Sequence, residues 1–185
     1  MTRDQLGAAL RLHAYLEGDF VLRSGKRSRY YLDKYLFETR PDLLGPLGEH
    51  IARAVAKYEP QAVRLAGPEL GAVPLTAAAS LASGLPFLIV RGQAKEYGTG
   101  NRLEGAFEPG ECVCLIEDVV TSAGAAVAAI TAVREAGLKC RTAVCVVDRE
   151  EGGTDALARA GVRLRPLYRA SELVGVAKPS EQPHD

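Results

Sequence analysis

Neither sign of charge is in excess in this chain: 23 Lys and Arg stand against 23 Asp and Glu in 185 residues. That balance removes the overall basic footprint of a protein built to bind nucleic acid. No apolar run approaches the roughly 18–20 residues that a bilayer-spanning helix needs, so a membrane protein is excluded. The first residues, Met1-Thr2-Arg3-Asp4-Gln5, hold no apolar core of a secretory signal, which points to the cytoplasm. Cysteine is scarce, with four in all, and Cys112, Cys114, Cys140 and Cys145 form no C-x-x-C pair. His13, His50 and His184 are scattered, so nothing supplies the four ligands of a zinc centre. Small, reduced cysteines in strands are the expectation. What is present is an ordinary globular composition, 47% hydrophobic and 25% charged. The chain is long enough for a sizeable core and one domain over 1–176. A polar stretch with two prolines closes it, and 177–185 is expected to be a flexible tail.

Leu6, Leu10, His13 and Leu16 share a face at 3.6-residue spacing and predict a first helix ended by Gly18. Ser24-Gly25 marks a turn, and Tyr30-Tyr31-Leu32 reads as strand. Pro41-Asp42 opens a helix with Leu44, Leu47, Ile51, Val55 and Tyr58 in one stripe, stopped before Pro60. Beyond it, apolar runs at 62–66, 86–90, 112–116, 142–147 and 162–167 alternate with helical segments at 72–83, 125–136 and 154–160. The runs are continuously apolar rather than alternating, as in strands covered on both faces. An α/β fold with a mostly parallel central sheet flanked by helices follows.

One connection breaks the pattern. Residues 91–105 hold four glycines and five charged side chains, too polar and too long for a plain α/β loop. They read as a functional loop, with an exposed hairpin as the alternative.

The strongest chemical signal is the run Cys112-Val113-Cys114-Leu115-Ile116-Glu117-Asp118-Val119-Val120-Thr121-Ser122-Ala123-Gly124-Ala125-Ala126. An apolar strand meets two acids and then small residues that begin a helix. Small side chains let a phosphate approach the backbone, and the free N–H groups of a helix N-terminus favour an anion. No Gly-Lys-Ser/Thr and no G-x-G-x-x-G is present, so neither the Walker loop nor the dinucleotide fingerprint applies. Neighbouring strand residues point to opposite faces, so Glu117 and Asp118 cannot clasp one metal in regular geometry. At least one of them faces a ligand, and the hydroxyls of a sugar suit it. Two uncompensated carboxylates would be costly as mere structure.

This acid-Asp-Val-Val-Thr segment resembles the phosphoribosyl-pyrophosphate signature of type I phosphoribosyltransferases. Four further segments resemble the orotate phosphoribosyltransferase family. Phe20-Val21-Leu22-Arg23-Ser24-Gly25 with Ser28-Arg29-Tyr30-Tyr31-Leu32-Asp33 is similar to its N-terminal hood, to which about 1–40 would contribute. Ala66-Gly67-Pro68-Glu69-Leu70-Gly71 is similar to its pyrophosphate loop, and 91–105 to its flexible catalytic loop. Val147-Asp148-Arg149-Glu150 is similar to its base-contacting strand end.

The resemblance implies transfer of ribose 5-phosphate from phosphoribosyl pyrophosphate to orotate, with Mg²⁺ held mainly by substrate oxygens. It implies that Thr121, Ser122, Ala123, Gly124 and Ala125 cradle the 5′-phosphate and that Glu117 and Asp118 hold the ribose hydroxyls. Arg91 and Lys95 would meet the pyrophosphate, with Glu69, Leu70 and Gly71 along its other side. Arg23, Tyr30, Tyr31, Thr121 and Arg149 would frame orotate, and Tyr97 would ride on the flexible loop. A homodimer in which the loop of one subunit closes over its neighbour's site is implied as well.

The chain departs from the family pattern in several places. Arg23 replaces a Lys, Gly92 a second basic residue, Tyr97 a His, and Leu70 a Lys of some members. Ala123 stands where a phosphate-loop Gly is typical, which strains the loop if that position needs a positive φ. Two other readings use the same fold: transfer to another nucleobase, or a non-catalytic regulator that senses phosphoribosyl pyrophosphate while binding DNA. The neutral charge and the short segment before Phe20 weigh against the regulator.

Overall fold

Apolar strands and amphipathic helices alternate along the chain. A computed structural model, which describes residues 1–21, 25, 27–92 and 102–175, assembles them into a six-stranded sheet with helices on both faces. Helix α1 (Arg3–Ala14) starts at a capping box. The Thr2 hydroxyl accepts from the Gln5 N–H at 3.2 Å, and the Gln5 side chain accepts from the Thr2 N–H at 2.9 Å. The helix stops at Ala14, short of the expected Gly18. Tyr15–Val21 forms strand β1 instead, antiparallel to β2 (Arg27–Leu32), with Tyr15 opposite Leu32 and Leu16 opposite Tyr31. Pairing with a partner strand overrides the helical spacing of Leu16, and the Tyr15 ring stacks on Tyr30 at 5.2 Å.

After the short α2 (Tyr35–Glu38), helix α3 (Pro41–Tyr58) carries Pro41 in its first turn, where a missing N–H costs nothing. It buries Leu43, Leu47, Ile51 and Val55, with Leu44 at the margin of that stripe. Then follow β3 (Arg64–Pro68), α4 (Ala72–Ser83), β4 (Phe87–Val90), β5 (Leu103–Glu104), β6 (Cys112–Val120) and α5 (Gly124–Glu135). The chain continues through β7 (Lys139–Asp148), α6 (Gly153–Arg159), β8 (Arg163–Arg169) and α7 (Ala170–Gly175). The order across the large sheet is β5-β4-β3-β6-β7-β8, parallel throughout except for β5.

Successive residues of β6 enter opposite layers. Cys114 and Ile116 pack with α1, α3 and α4, whereas Val113 and Leu115 pack with α5 and α6. Double coverage explains why these strands read as unbroken apolar runs. β6 also extends beyond the expected 112–116, because parallel pairing of Glu117 with Cys145 and Val119 with Val147 carries the backbone on to Val120. The two acids therefore lie inside the strand's last turns of pleat and not after it.

The strand order reverses at β3. From β3 the chain crosses to β4 on one side, and β6 is then laid on the other side. The connections after β3 and β6 consequently lead to helices on opposite faces, α4 and α5, and a crevice is left outside the carboxyl ends of these two strands. The 91–105 loop has a hairpin stem: Ile89 pairs with Glu104, and the Arg91 N–H donates to the Arg102 carbonyl at 2.8 Å. Lys95 and Tyr97 in that loop, Arg23 in the hairpin, and the tail from 176 lie outside the described residues. Among the described residues no helix is long and apolar enough to cross a membrane.

Candidate active site

The crevice at the switch of strand order is a cavity of about 760 Å³. One wall is the loop from β6 into α5, residues 121–126. Ala123 takes φ 63° and ψ 16° there, so the position does require the left-handed region. No side chain caps α5, which leaves the first-turn N–H groups of a twelve-residue helix to a ligand. An alanine held left-handed costs about 0.5–1 kcal/mol relative to glycine. Ala123→Gly is therefore expected to raise Tm by about 1–4 °C in calorimetry. An unchanged or lower Tm would show the loop relaxed as it stands.

The acids form the floor. Lys34 Nζ donates to Asp118 Oδ2 at 2.6 Å, and the Val119 N–H donates to Asp118 Oδ1, so both oxygens are engaged. Glu117 is 7% exposed, and its Oε1 has no hydrogen-bond partner among the described residues. Burial first, and the Asp118 charge second, push the Glu117 carboxyl up to about 8. Glu38, buried at 2% exposure, is raised for the same two reasons, with Lys34 opposing. Burial works to lower the Lys34 ammonium, but the hydrogen bond and charge of Asp118 outweigh it, and its pKa stands above the ordinary lysine value.

These shifts have a stability consequence. Between the ordinary value of 4.5 and about 8, folded Glu117 keeps a proton that the unfolded chain has released. Stability must then fall as pH rises through that window and level off above it. Thermal melts of the ligand-free protein are expected to show a Tm several degrees lower at pH 8.5 than at pH 6. Glu117→Gln should narrow that difference; an identical pH profile in the variant would reject this origin.

Opposite the acids lies the 69–71 segment. A Cβ on Gly71 would overlap Asp118 Oδ2 and stand 2.7 Å from Lys34 Nζ and 2.9 Å from Glu38 Oε1. The backbone rests directly on the charged cluster, and only glycine permits that approach. Glu69 Oε1 accepts from the Gly92 N–H at 2.8 Å, which ties this segment to the stem of the 91–105 loop.

Arg149 follows β7, where its N–H donates to the Val120 carbonyl at 2.9 Å. Its guanidinium lies 5.3 Å over the Tyr30 ring, and its Nε is 3.1 Å from Glu151 Oε1. The side chain is only 8% exposed, so its orientation is set by these neighbours.

Of the residues singled out from the sequence, Glu69, Gly71, Glu117, Asp118, 121–125, Tyr31 and Arg149 line the one cavity. Leu70 is 71% exposed and outside that lining, as are Tyr30, which braces Arg149 instead, and Arg91. Three further residues of the site carry no sequence signal: Lys34, Glu38 and Glu151. Lys34 sits in the turn after β2 and Glu38 ends the short α2, neither in any motif, and the Asp118 partner of Lys34 is 84 positions away. Another cleft, of about 590 Å³, opens beside Glu59, Ala62 and Leu85 at the amino ends of β3 and β4, away from every group above.

No family model matches the chain. An orotate phosphoribosyltransferase of Methanocella arvoryzae is 50% identical over 158 residues, which cover 85% of this chain and 89% of that protein. Another, of Halobacterium salinarum, is 46% identical over 172 residues, 92% of this chain and 96% of its own length. The chain belongs to the orotate phosphoribosyltransferase family.

Its fold is the type I phosphoribosyltransferase fold. The crystal structure of the Mycobacterium tuberculosis H37Rv orotate phosphoribosyltransferase with Fe(III) dicitrate superposes with a TM-score of 0.81 at 28% identity, over 92% of this chain and 98% of that one. The same mycobacterial protein has been crystallised with 5-phospho-α-D-ribosyl 1-diphosphate. As an orotate phosphoribosyltransferase, the chain is a pentosyltransferase of pyrimidine biosynthesis, forming orotidine 5′-monophosphate and pyrophosphate.

Proposed function

We propose that this transfer takes place in the 760 Å³ cavity, with the substrates laid across it from α5 to β7. The observation that carries the assignment is one cavity with an uncapped helix N-terminus at one end and, on its floor, a pinned carboxylate beside another whose Oε1 has no hydrogen-bond partner among the described residues. Thr121, Ser122, Ala123, Gly124 and Ala125 receive the 5′-phosphate on backbone N–H groups and hydroxyls. Glu117 and Asp118 hold the ribose hydroxyls. The 69–71 segment, with Arg91 and Lys95, takes the pyrophosphate, and Arg149 with Arg23, Tyr30 and Tyr31 takes orotate, with Tyr97 on the closing loop.

Departure of pyrophosphate leaves positive charge on the anomeric carbon and ring oxygen, so no protein nucleophile is required. The chain contributes orientation, cations for the departing group and exclusion of water. Asp118 enters with both oxygens engaged and so presents a fixed negative charge near the developing cation. Mg²⁺ suits this donor set only as a partner of the substrate. Among the described residues no group of three or more His, Cys, Asp or Glu could hold a metal, and Mg²⁺ commonly bridges substrate phosphates while keeping waters. When bound with the substrate, Mg²⁺ would be held mainly by substrate oxygens and would supply charge neutralisation to the leaving group. The assembly is a homodimer whose 91–105 loop reaches the neighbouring site, and the protein works in the cytoplasm.

Mixing the protein with Mg²⁺, phosphoribosyl pyrophosphate and orotate is expected to release pyrophosphate in step with loss of orotate. Release with uracil, adenine or hypoxanthine but none with orotate would overturn the base assignment.

A further inference from the structure

Lys34 has no part in the reaction as assigned above, yet its side chain lines the cavity beside the acids. It follows β2 and precedes α2, so the segment that carries Tyr30 and Tyr31 carries this cation too. Its ammonium donates to Asp118 Oδ2 at 2.6 Å, while the Val119 N–H takes Oδ1. Together the two contacts fix the rotation of that carboxylate. On its other flank Lys34 reaches the 69–71 segment, 2.7 Å from where a Gly71 Cβ would stand, and Glu38 Oε1 closes the cluster at 2.9 Å from the same point. Glu69, Leu70 and Gly71 bring no cation of their own to that segment. The pair is sheltered, with the two side chains 33% and 7% exposed, so its attraction is screened far less than that of a surface pair.

We propose that Lys34 is a positioning residue of the transfer: it aims the Asp118 carboxylate at the ribose hydroxyls and joins the hood segment to the 69–71 segment. This rests on the placement of ribose at the acids under Proposed function. Because Lys34 acts through Asp118, its loss falls on the phosphoribosyl pyrophosphate side of the reaction and spares the orotate side.

Lys34→Met is expected to lower kcat/KM for phosphoribosyl pyrophosphate about 100-fold while changing KM for orotate less than about threefold. Lys34→Arg, which keeps the charge, recovers about tenfold of that loss. Added to Asp118→Asn, Lys34→Met costs less than about a further threefold, because the carboxylate it aims is already neutral. Wild-type kinetics in Lys34→Met, a loss shared equally by both substrates, no recovery with arginine, or an additive double variant would each overturn the proposal. Should Lys34→Met melt below the assay temperature, Lys34→Gln carries the same comparison. Calorimetric titration of phosphoribosyl pyrophosphate into wild type and variants reads the same ratio without turnover. A wild type that binds it but leaves orotate untouched would overturn the base assignment and leave the Lys34 comparison standing.

Discussion

Gly71→Ala is expected to lower kcat/KM for phosphoribosyl pyrophosphate by about 100-fold or more with little change in Tm. The added methyl would occupy the space of Asp118 Oδ2 and stand within 3 Å of both Lys34 Nζ and Glu38 Oε1. None of these can yield cheaply. Asp118 is engaged at both oxygens, and Glu38 is 2% exposed. The 69–71 segment must therefore lift away from the acids, and a displacement of about 1 Å between pyrophosphate and ribose contacts is enough for a loss of this size. The segment lies at the cavity rim, outside both apolar cores, so folding is largely spared. Steady-state kinetics beside a thermal melt check this. A folded variant with wild-type kcat/KM would show that the segment has room that its packing denies.

Arg149→Ala should act on the other substrate, raising KM for orotate about 100-fold and leaving that for phosphoribosyl pyrophosphate within about threefold. The guanidinium lies over the Tyr30 ring and is paired with Glu151, and 8% of its side chain is exposed. Its removal also leaves Glu151 unpaired on the cavity wall, where it repels the orotate carboxylate. Arg149→Lys keeps the charge but loses the planar fork and the stacking on Tyr30, and should restore only part of the affinity. The two substrates measured separately decide the matter. An alanine variant with unchanged KM for orotate would remove Arg149 from the base side.

Some elements were legible because their signals are local. The helix expected over 72–83 is α4 to the residue, ended by Gly84 at φ 75°. Pro41 likewise announces the start of α3. The end of the first helix is not legible, for the converse reason. Leu16 continues the 3.6-residue spacing, and only a strand some fifteen residues later, offering Tyr31 as partner, turns it into β1. In the site, Glu117 and Asp118 stood out because two acids inside an apolar run have no inexpensive structural explanation. Lys34 and Glu38 did not, since a lysine and a glutamate after a strand are ordinary surface residues until Asp118 is brought against them.

Composition and periodicity determined by themselves an α/β fold with a mostly parallel sheet, and the run from Cys112 to Ala126 which residue types handle phosphate and sugar. That the reaction is a phosphoribosyl transfer came from the resemblance of its segments to a known family. Such properties depend on neighbours within a turn or a strand, and the chain records them directly. The tertiary structure alone decided the reversal of strand order at β3, which opens the crevice, and the left-handed Ala123 at its edge. It also decided the contact of Gly71 with the half-buried Lys34 and its partner Asp118. Each of these arises where segments far apart in the chain compete for one volume, and which of them fits is settled only by packing them together.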